Sequence, residues 1–241
     1  MRAMIKLSLT TGLLAGMSMV SLSACAVGAD DDARARKMML EAVNHRYHWN
    51  DGFKGFSADF AVTREGKTVR GTVKVDATKP RGAVTVTCGD EDIKKLVNDT
   101  IASTVTHTRA TKFEQAFGSS TFSIVSEDPH GGTKIAVHEH GFFKDFTVKD
   151  GHVIENHGGH GSMSSEVKVQ EVVWLADCGK TLPKSYVFTI KTGDREQKGM
   201  NMERWREVDG VWLPAHWHLV RTESSSAPVE SDISLENIKV D

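Results

Sequence analysis

Histidine is the residue with the most chemistry to offer in this chain. His138 and His140 are one residue apart in an alternating run, as are His216 and His218, so each pair projects from one face of a strand. His152, His157 and His160 lie in or beside Gly158-Gly159, which reads as a turn. Imidazoles at such spacings ligate zinc, copper or nickel. His138, His140, His216 and His218 together would make a zinc or copper site assembled from several strands. Against that stand two features: Ile135 and Val137 alternate with the first pair, which turns those imidazoles to solvent, and no HExxH or Cys-x-x-Cys frame accompanies them. A metal-binding protein or metal-dependent enzyme is therefore the alternative reading, and the leading one has no cofactor.

Other reactive patterns are weaker. Met200 and Met202 near Trp205 suit copper(I), but alternating methionines on a strand are much more often core filling. Gly161-Ser162-Met163-Ser164 lacks the second glycine of a nucleophile elbow and its strand-to-helix setting. Glu139, Asp145, Glu155 and Glu171 are scattered with nothing to pair them for glycoside chemistry. Gly158-Gly159-His160-Gly161 neither has phosphate-loop spacing nor opens a helix. The chemistry thus points to binding rather than catalysis.

The elements that would position these groups are mostly strands. Asp30 to Asp32 can cap a helix in which Met39, Val43 and Tyr47, with Met38 and Ala42, form an apolar stripe through Arg46. Asn50-Asp51-Gly52 ends it. Phe56, Ala58, Phe60 and Val62 then share one side of a strand, Glu65-Gly66 reverses the chain, and Val69, Gly71, Val73 and Val75 repeat the alternation. After a turn at Lys79-Pro80-Arg81-Gly82, Val84, Val86 and Cys88 make a third strand. Asp90 caps a second helix with Ile93, Leu96, Val97, Ile101 and Val105 on one side. Nine further runs predict strands at Thr121–Ser126, Thr133–Glu139, Phe143–Val148, His152–His157, Glu166–Leu175, Ser185–Thr192, Gly199–Val208, Val211–Thr222 and Glu230–Val240. Asp150-Gly151 and Asp209-Gly210 are hairpin dipeptides. The expected fold is mainly β, in the α+β class. It is a large curved antiparallel sheet, a half-barrel meander, with an N-terminal helix and a second helix packed on its concave face.

At 241 residues, residues 30–241 suffice for one β-rich domain after a signal segment at 1–29. Arg2 and Lys6 flank a mostly apolar tract from Leu7 to Ala24 that is too interrupted by Ser and Thr for a good membrane span. Leu22-Ser23-Ala24-Cys25 resembles a bacterial lipobox, with Cys25 as the acylated residue, while Val27-Gly28-Ala29 fits ordinary cleavage; both readings imply export. The formal charge of −2 becomes −4 once Arg2 and Lys6 leave, 30 basic residues falling to 28 against 32 acidic, which gives nucleic acid no purchase. In an oxidising compartment Cys88 and Cys178 are either two buried thiols or a disulfide. Closing a loop of about 90 residues would contribute on the order of 4 kcal/mol.

A resemblance enters with Ala35-Arg36-Lys37-Met38-Met39, Asn44-His45-Arg46-Tyr47-His48-Trp49, Gly55-Phe56-Ser57-Ala58-Asp59, and the segment around Val105-Thr106-His107-Thr108-Arg109 with Phe113-Glu114. These look like domain-of-unknown-function family 3386 over about Ala33 to Val220, a family that carries no activity to transfer. More distantly, the first hairpin, Pro80-Arg81-Gly82-Ala83-Val84 and Val211-Trp212-Leu213-Pro214 are similar to the lipoprotein-carrier half-barrel of LolA and LolB. That resemblance implies a lipid-sized cavity under helices, though a shared fold does not imply a shared ligand.

Phe56, Phe60, Phe122, Phe146, Trp174 and Phe188 are then the expected lining of a ligand site for a lipid, an acyl chain or another hydrophobic small molecule. The leading expectation is an exported, lipid-anchored protein at the periplasmic face of a membrane, or periplasmic or secreted if not acylated. It binds such a ligand or an envelope protein partner without catalysis. A third reading, a structural envelope protein, has the convex face dock another chain and predicts an exposed apolar patch.

Overall fold

The computed structural model describes residues 31–79, 82–110, 112–139, 142–224 and 226–241. Cys25 and both leader-processing motifs, and His140, lie outside them. The first helix, α1 (Ala33–His45), starts where its sequence says it should: the Asp32 carboxylate accepts from the Arg34 and Ala35 amides at 2.8 and 3.1 Å. Ala35, Met39 and Ala42 are its buried stripe. The helix stops at Arg46, whose extended backbone (φ −76°, ψ 138°) carries Tyr47 beyond the helical register.

The first hairpin is β1 (Gly55–Arg64) and β2 (Lys67–Asp76), joined at Glu65-Gly66 with φ of 50° and 75°, as a type I′ turn requires. In β1 the Phe56, Ala58, Phe60 and Val62 side chains are all buried, opposite Val75, Val73, Gly71 and Val69. The short strand β3 (Ala83–Thr87) completes this end. Asp90 caps α2 (Glu91–Thr108) through the Asp92 and Ile93 amides. A one-turn helix, α3 (Phe113–Phe117), follows; at five residues it is too short to show as periodicity.

Nine strands then run as a meander: β4 (Thr121–Asp128), β5 (Gly132–Glu139), β6 (Phe142–Lys149), β7 (His152–His160), β8 (Met163–Leu175), β9 (Lys180–Thr192), β10 (Arg195–Val208), β11 (Val211–Glu223) and β12 (Val229–Val240). Each contains the run expected from sequence. Asp150-Gly151 and Asp209-Gly210 take the same paired positive φ as Glu65-Gly66. Gly158-Gly159 is a correction: these glycines are not a turn but lie inside β7, facing Ser165 and Ser164. A side chain at Gly159 would stand 2.7 Å from the Phe143 ring and 2.5 Å from the Met163 carbonyl. The glycine is there for close packing, and the chain reverses two residues later.

All twelve strands form one open antiparallel sheet, in the order β3-β2-β1-β12-β11-β10-β9-β8-β7-β6-β5-β4. The last strand pairs with the first, and α2 and α3 are the crossover from one edge to the other. Register shows that both helices cover the same, concave face. Residues directly opposite share a face, so Phe60, Leu235, Trp217, Glu203, Tyr186, Val167, Asn156, Phe146, Ile135 and Phe122 belong to one continuous surface. At one end of it Ile93, Val97, Ile101 and Val105 of α2 pack on Phe56, Phe60, Val73, Trp217, Leu219 and Ile233. At the other, Ala35, Met39 and Ala42 of α1 join Phe113, Phe122, Ile135, Val137 and Val148. The half-barrel therefore has two separate cores. Burying each of those side chains fully is worth roughly 1.5–3 kcal/mol before entropy is counted.

Candidate functional site

Between the two cores the middle of the concave face is left open. A cavity of about 1000 Å³ lies there, bounded by β7 to β12, the inner flank of α2 and the segment after α1. Its size is at the upper end of ordinary ligand pockets. Val153, Val167, Val169, Phe188, Ile190 and Leu219 supply an apolar wall from the sheet, and Leu96 adds to it from the helix. Gly199 makes the Phe188 position possible, because a Cβ there would sit 2.5 Å from the Phe188 ring.

One part of the lining is polar and deeply set. Glu203 is 4% exposed and Asn201 7%. Tyr186 donates its hydroxyl to Glu203 Oε1 at 3.2 Å and accepts from Asn201 Nδ2 at 2.6 Å. Burial pushes the Glu203 carboxyl up to about 7, only partly opposed by the Tyr186 hydrogen bond and the Arg46 charge. Burial likewise raises the Tyr186 hydroxyl, with Glu203 adding to it. His107, on the cavity side of α2 and solvent-accessible, is pushed down to about 4 by desolvation first and by Arg46 second.

Arg46 and Arg221 line the same space. Arg46 arrives because the chain leaving α1 runs beside the start of β9: Arg46 bridges Thr181, and the Tyr47 amide donates to the Thr181 carbonyl at 2.8 Å. The segment is then locked down by Trp49, whose amide donates to Thr108 and whose indole donates to Trp212. Burial works against both guanidinium charges and lowers their pKa, yet an arginine stays charged at neutral pH. The buried Nε of each has no hydrogen-bond partner, and neither pairs with a carboxylate among the described residues. The remaining Arg221 contact is Nη2 to Thr100 Oγ1 at 3.5 Å.

The residues expected from sequence are distributed differently. Of the six aromatic positions, Phe188 lines the cavity. Phe56 and Phe60 are sealed in the α2 core, Phe122 is sealed in the α1 core, and Phe146 packs against that core. Trp174 is 59% exposed. The alternation that marked these rings identified the concave face but not which part of it the helices cover.

Among the described residues the four histidines are not brought together; His140 lies outside them. His138 is on β5, where Nε2 meets Ser123 Oγ at 2.8 Å. His216 and His218 are on β11 around Asp232, at 3.5 and 3.0 Å. Six strand spacings separate β5 from β11, roughly 29 Å measured along the sheet. Among the described residues no three His, Cys, Asp or Glu side chains gather as a metal site. The disulfide expectation is also corrected: Cys88 and Cys178 are free thiols. Cys88 follows the edge strand β3 and donates to the Asp90 carbonyl, whereas Cys178 sits in the β8–β9 turn, beyond bridging range.

The missed residues are Arg46, Arg221, Glu203, Tyr186 and His107. Glu203 offered one signal, a carboxylate on the inward phase of β10.

Fold and cavity together define an open β half-barrel with helices on its concave face and a partly polar pocket between two cores. Residues 30–240 match the family described as "Protein of unknown function (DUF3386)", and the chain belongs to that family. No curated protein matches the sequence. Among solved structures, the chain is similar to the crystal structure of MucB, at 9% identity and TM-score 0.26, covering 87% of this chain and 99% of that one. It is also similar to MucB in complex with MucA(peri), at 8% identity and TM-score 0.21, and to the Pseudomonas aeruginosa MucA/MucB complex, at 8% identity and TM-score 0.23. Each covers 87% of this chain and 99% of the other. Likeness at this level leaves function to be argued from the cavity itself.

Proposed function

We propose that this chain is an exported envelope protein that binds a hydrophobic ligand, a lipid or an acyl chain, in the concave cavity and performs no catalysis. The observation that carries this reading is the stretch of concave sheet on which no helix packs, leaving a cavity between it and the flank of α2. A sheet face left open between two packed cores costs hydrophobic burial that a longer crossover helix would have recovered. An apolar ligand recovers it instead. Export is supported by the N-terminal segment with Arg2, Lys6 and the apolar tract, and acylation at Cys25 belongs to the same proposal.

Native mass spectrometry of untagged protein from its own envelope fraction tests this. A dissociable adduct of lipid mass is expected, together with saturable enhancement of N-phenyl-1-naphthylamine fluorescence that Val167→Asp and Ile190→Asp each abolish while circular dichroism is retained. A bare chain that also fails to bind the probe overturns the reading.

A further inference from the structure

We infer that the cavity has a polar end that selects an acidic headgroup, held by the guanidinium groups of Arg46 and Arg221 while the chain of the ligand lies on the Val153, Val167, Phe188 and Ile190 wall. This rests on the cavity being a ligand site, and it names the class of ligand: an amphiphile carrying a carboxylate or a phosphate oxyanion.

Two arginines border the cavity with buried Nε donors for which the described residues supply no acceptor. A buried charged donor without an acceptor is costly, so the two guanidinium groups favour an anion at the part of the cavity they line. Neighbouring carboxylates do not meet it. Glu203 is turned to Tyr186. Asp99, whose charge reaches Arg221, forms its ion pair with Lys95. Tyr186 lines the same cavity as both arginines.

The donors the lining offers an incoming oxyanion are the guanidinium groups of Arg46 and Arg221, with that of Arg64, and the hydroxyls of Thr100 and Thr104, beside the carboxylates of Asp92, Asp99, Glu203 and Glu223. A fork geometry suits carboxylate and phosphate alike. A cationic head would meet two like charges in a low-dielectric setting, and a neutral alcohol would satisfy at most one donor.

The test compares amphiphiles of one chain length, dodecanoate, dodecyl phosphate, dodecanol and dodecyltrimethylammonium, by displacement of N-phenyl-1-naphthylamine from the full mature protein. Dodecanoate and dodecyl phosphate are expected to bind at least about tenfold more tightly than dodecanol, the strength of one charge-assisted hydrogen bond. The cation should be weakest. Arg221→Gln should erase the preference by lowering dodecanoate affinity at least about tenfold; Arg46→Gln should do the same, and Arg221→Lys should restore part of it.

Stronger binding of the phosphate points to a phospholipid source and stronger binding of the carboxylate to a free fatty acid; either supports the subsite. Equal affinity for dodecanol and dodecanoate overturns the anion subsite and leaves the cavity reading standing. Failure of all four to bind removes the cavity reading itself.

Discussion

Replacing Glu203 with Gln should stabilise the protein at alkaline pH and do nothing in acid. The carboxyl is 4% exposed and its pKa is raised from 4.5 to about 7, burial being the largest cause. A carboxyl that resists ionisation in the folded state favours folding least where the unfolded chain ionises freely. Below about pH 4.5 the group is protonated in both states, and the wild type and Glu203→Gln should be equally stable. As pH rises toward 7 the unfolded state gains its charge first, and the wild type progressively loses stability. Above the folded-state value the loss levels off. At 1.36 kcal/mol per pH unit the full difference is about 3 kcal/mol. The amide can still accept from the Tyr186 hydroxyl, so the network survives the exchange. His107 is present in both proteins, and its titration cancels in the comparison. Urea unfolding of both proteins at pH 4.5, 6, 7 and 8 measures the effect directly. In a domain of this size about 3 kcal/mol corresponds to roughly 6–12 °C in Tm. A stability difference that is the same at every pH would refute the assignment of Glu203 as a buried carboxyl with a raised pKa. The direction also bears on binding: with its carboxylate uncharged the polar end is more positive, so Glu203→Gln should bind dodecanoate more tightly than wild type at pH 8.

Two further outcomes follow from packing and thiol geometry. Gly199→Val should force the Phe188 ring off its seat, costing about 1–3 kcal/mol in chemical denaturation and lowering the capacity for the fluorescent probe, because the displaced ring moves within the cavity wall. Reducing agent should leave Tm unchanged, and Cys88→Ser with Cys178→Ser should melt within a few degrees of wild type, since Cys178 is exposed and Cys88 only packs against the edge of the α2 core; a large drop would reveal a disulfide.

Much of the fold is legible because its signals are local. Asp32 and Asp90 cap their helices within three residues. Glu65-Gly66, Asp150-Gly151 and Asp209-Gly210 turn within two. Period-two alternation finds every strand, since side-chain direction along a strand depends only on the backbone pleat. It also separates the two faces, which is why Ile135 and Val137 are buried and His138 is not. Alternation cannot say what covers a face. Phe60 and Phe188 occupy equivalent inward positions, and one is sealed under α2 while the other borders an open cavity.

The candidate site was the least legible part. Histidine spacing names a possible chemistry, but His216 and His218 meet Asp232 on the outer face, far along the sheet from His138. The polar cluster that does assemble joins Arg46 at the end of α1 with Tyr186, Glu203 and Arg221 on three successive strands more than a hundred residues later. No spacing rule connects them.

By itself, then, the amino-acid order determined the strands, their turns, the capped helices and the inward phase of each strand, because these follow from backbone sterics and nearest-neighbour chemistry. Only the tertiary structure decided where the helices end on the sheet, hence which aromatic rings are core and which are wall. It also decided that Arg46 and Arg221 come to line one cavity with Tyr186 and Glu203. Burial and long-range charge are properties of what lies across space, and a linear pattern carries no term for them.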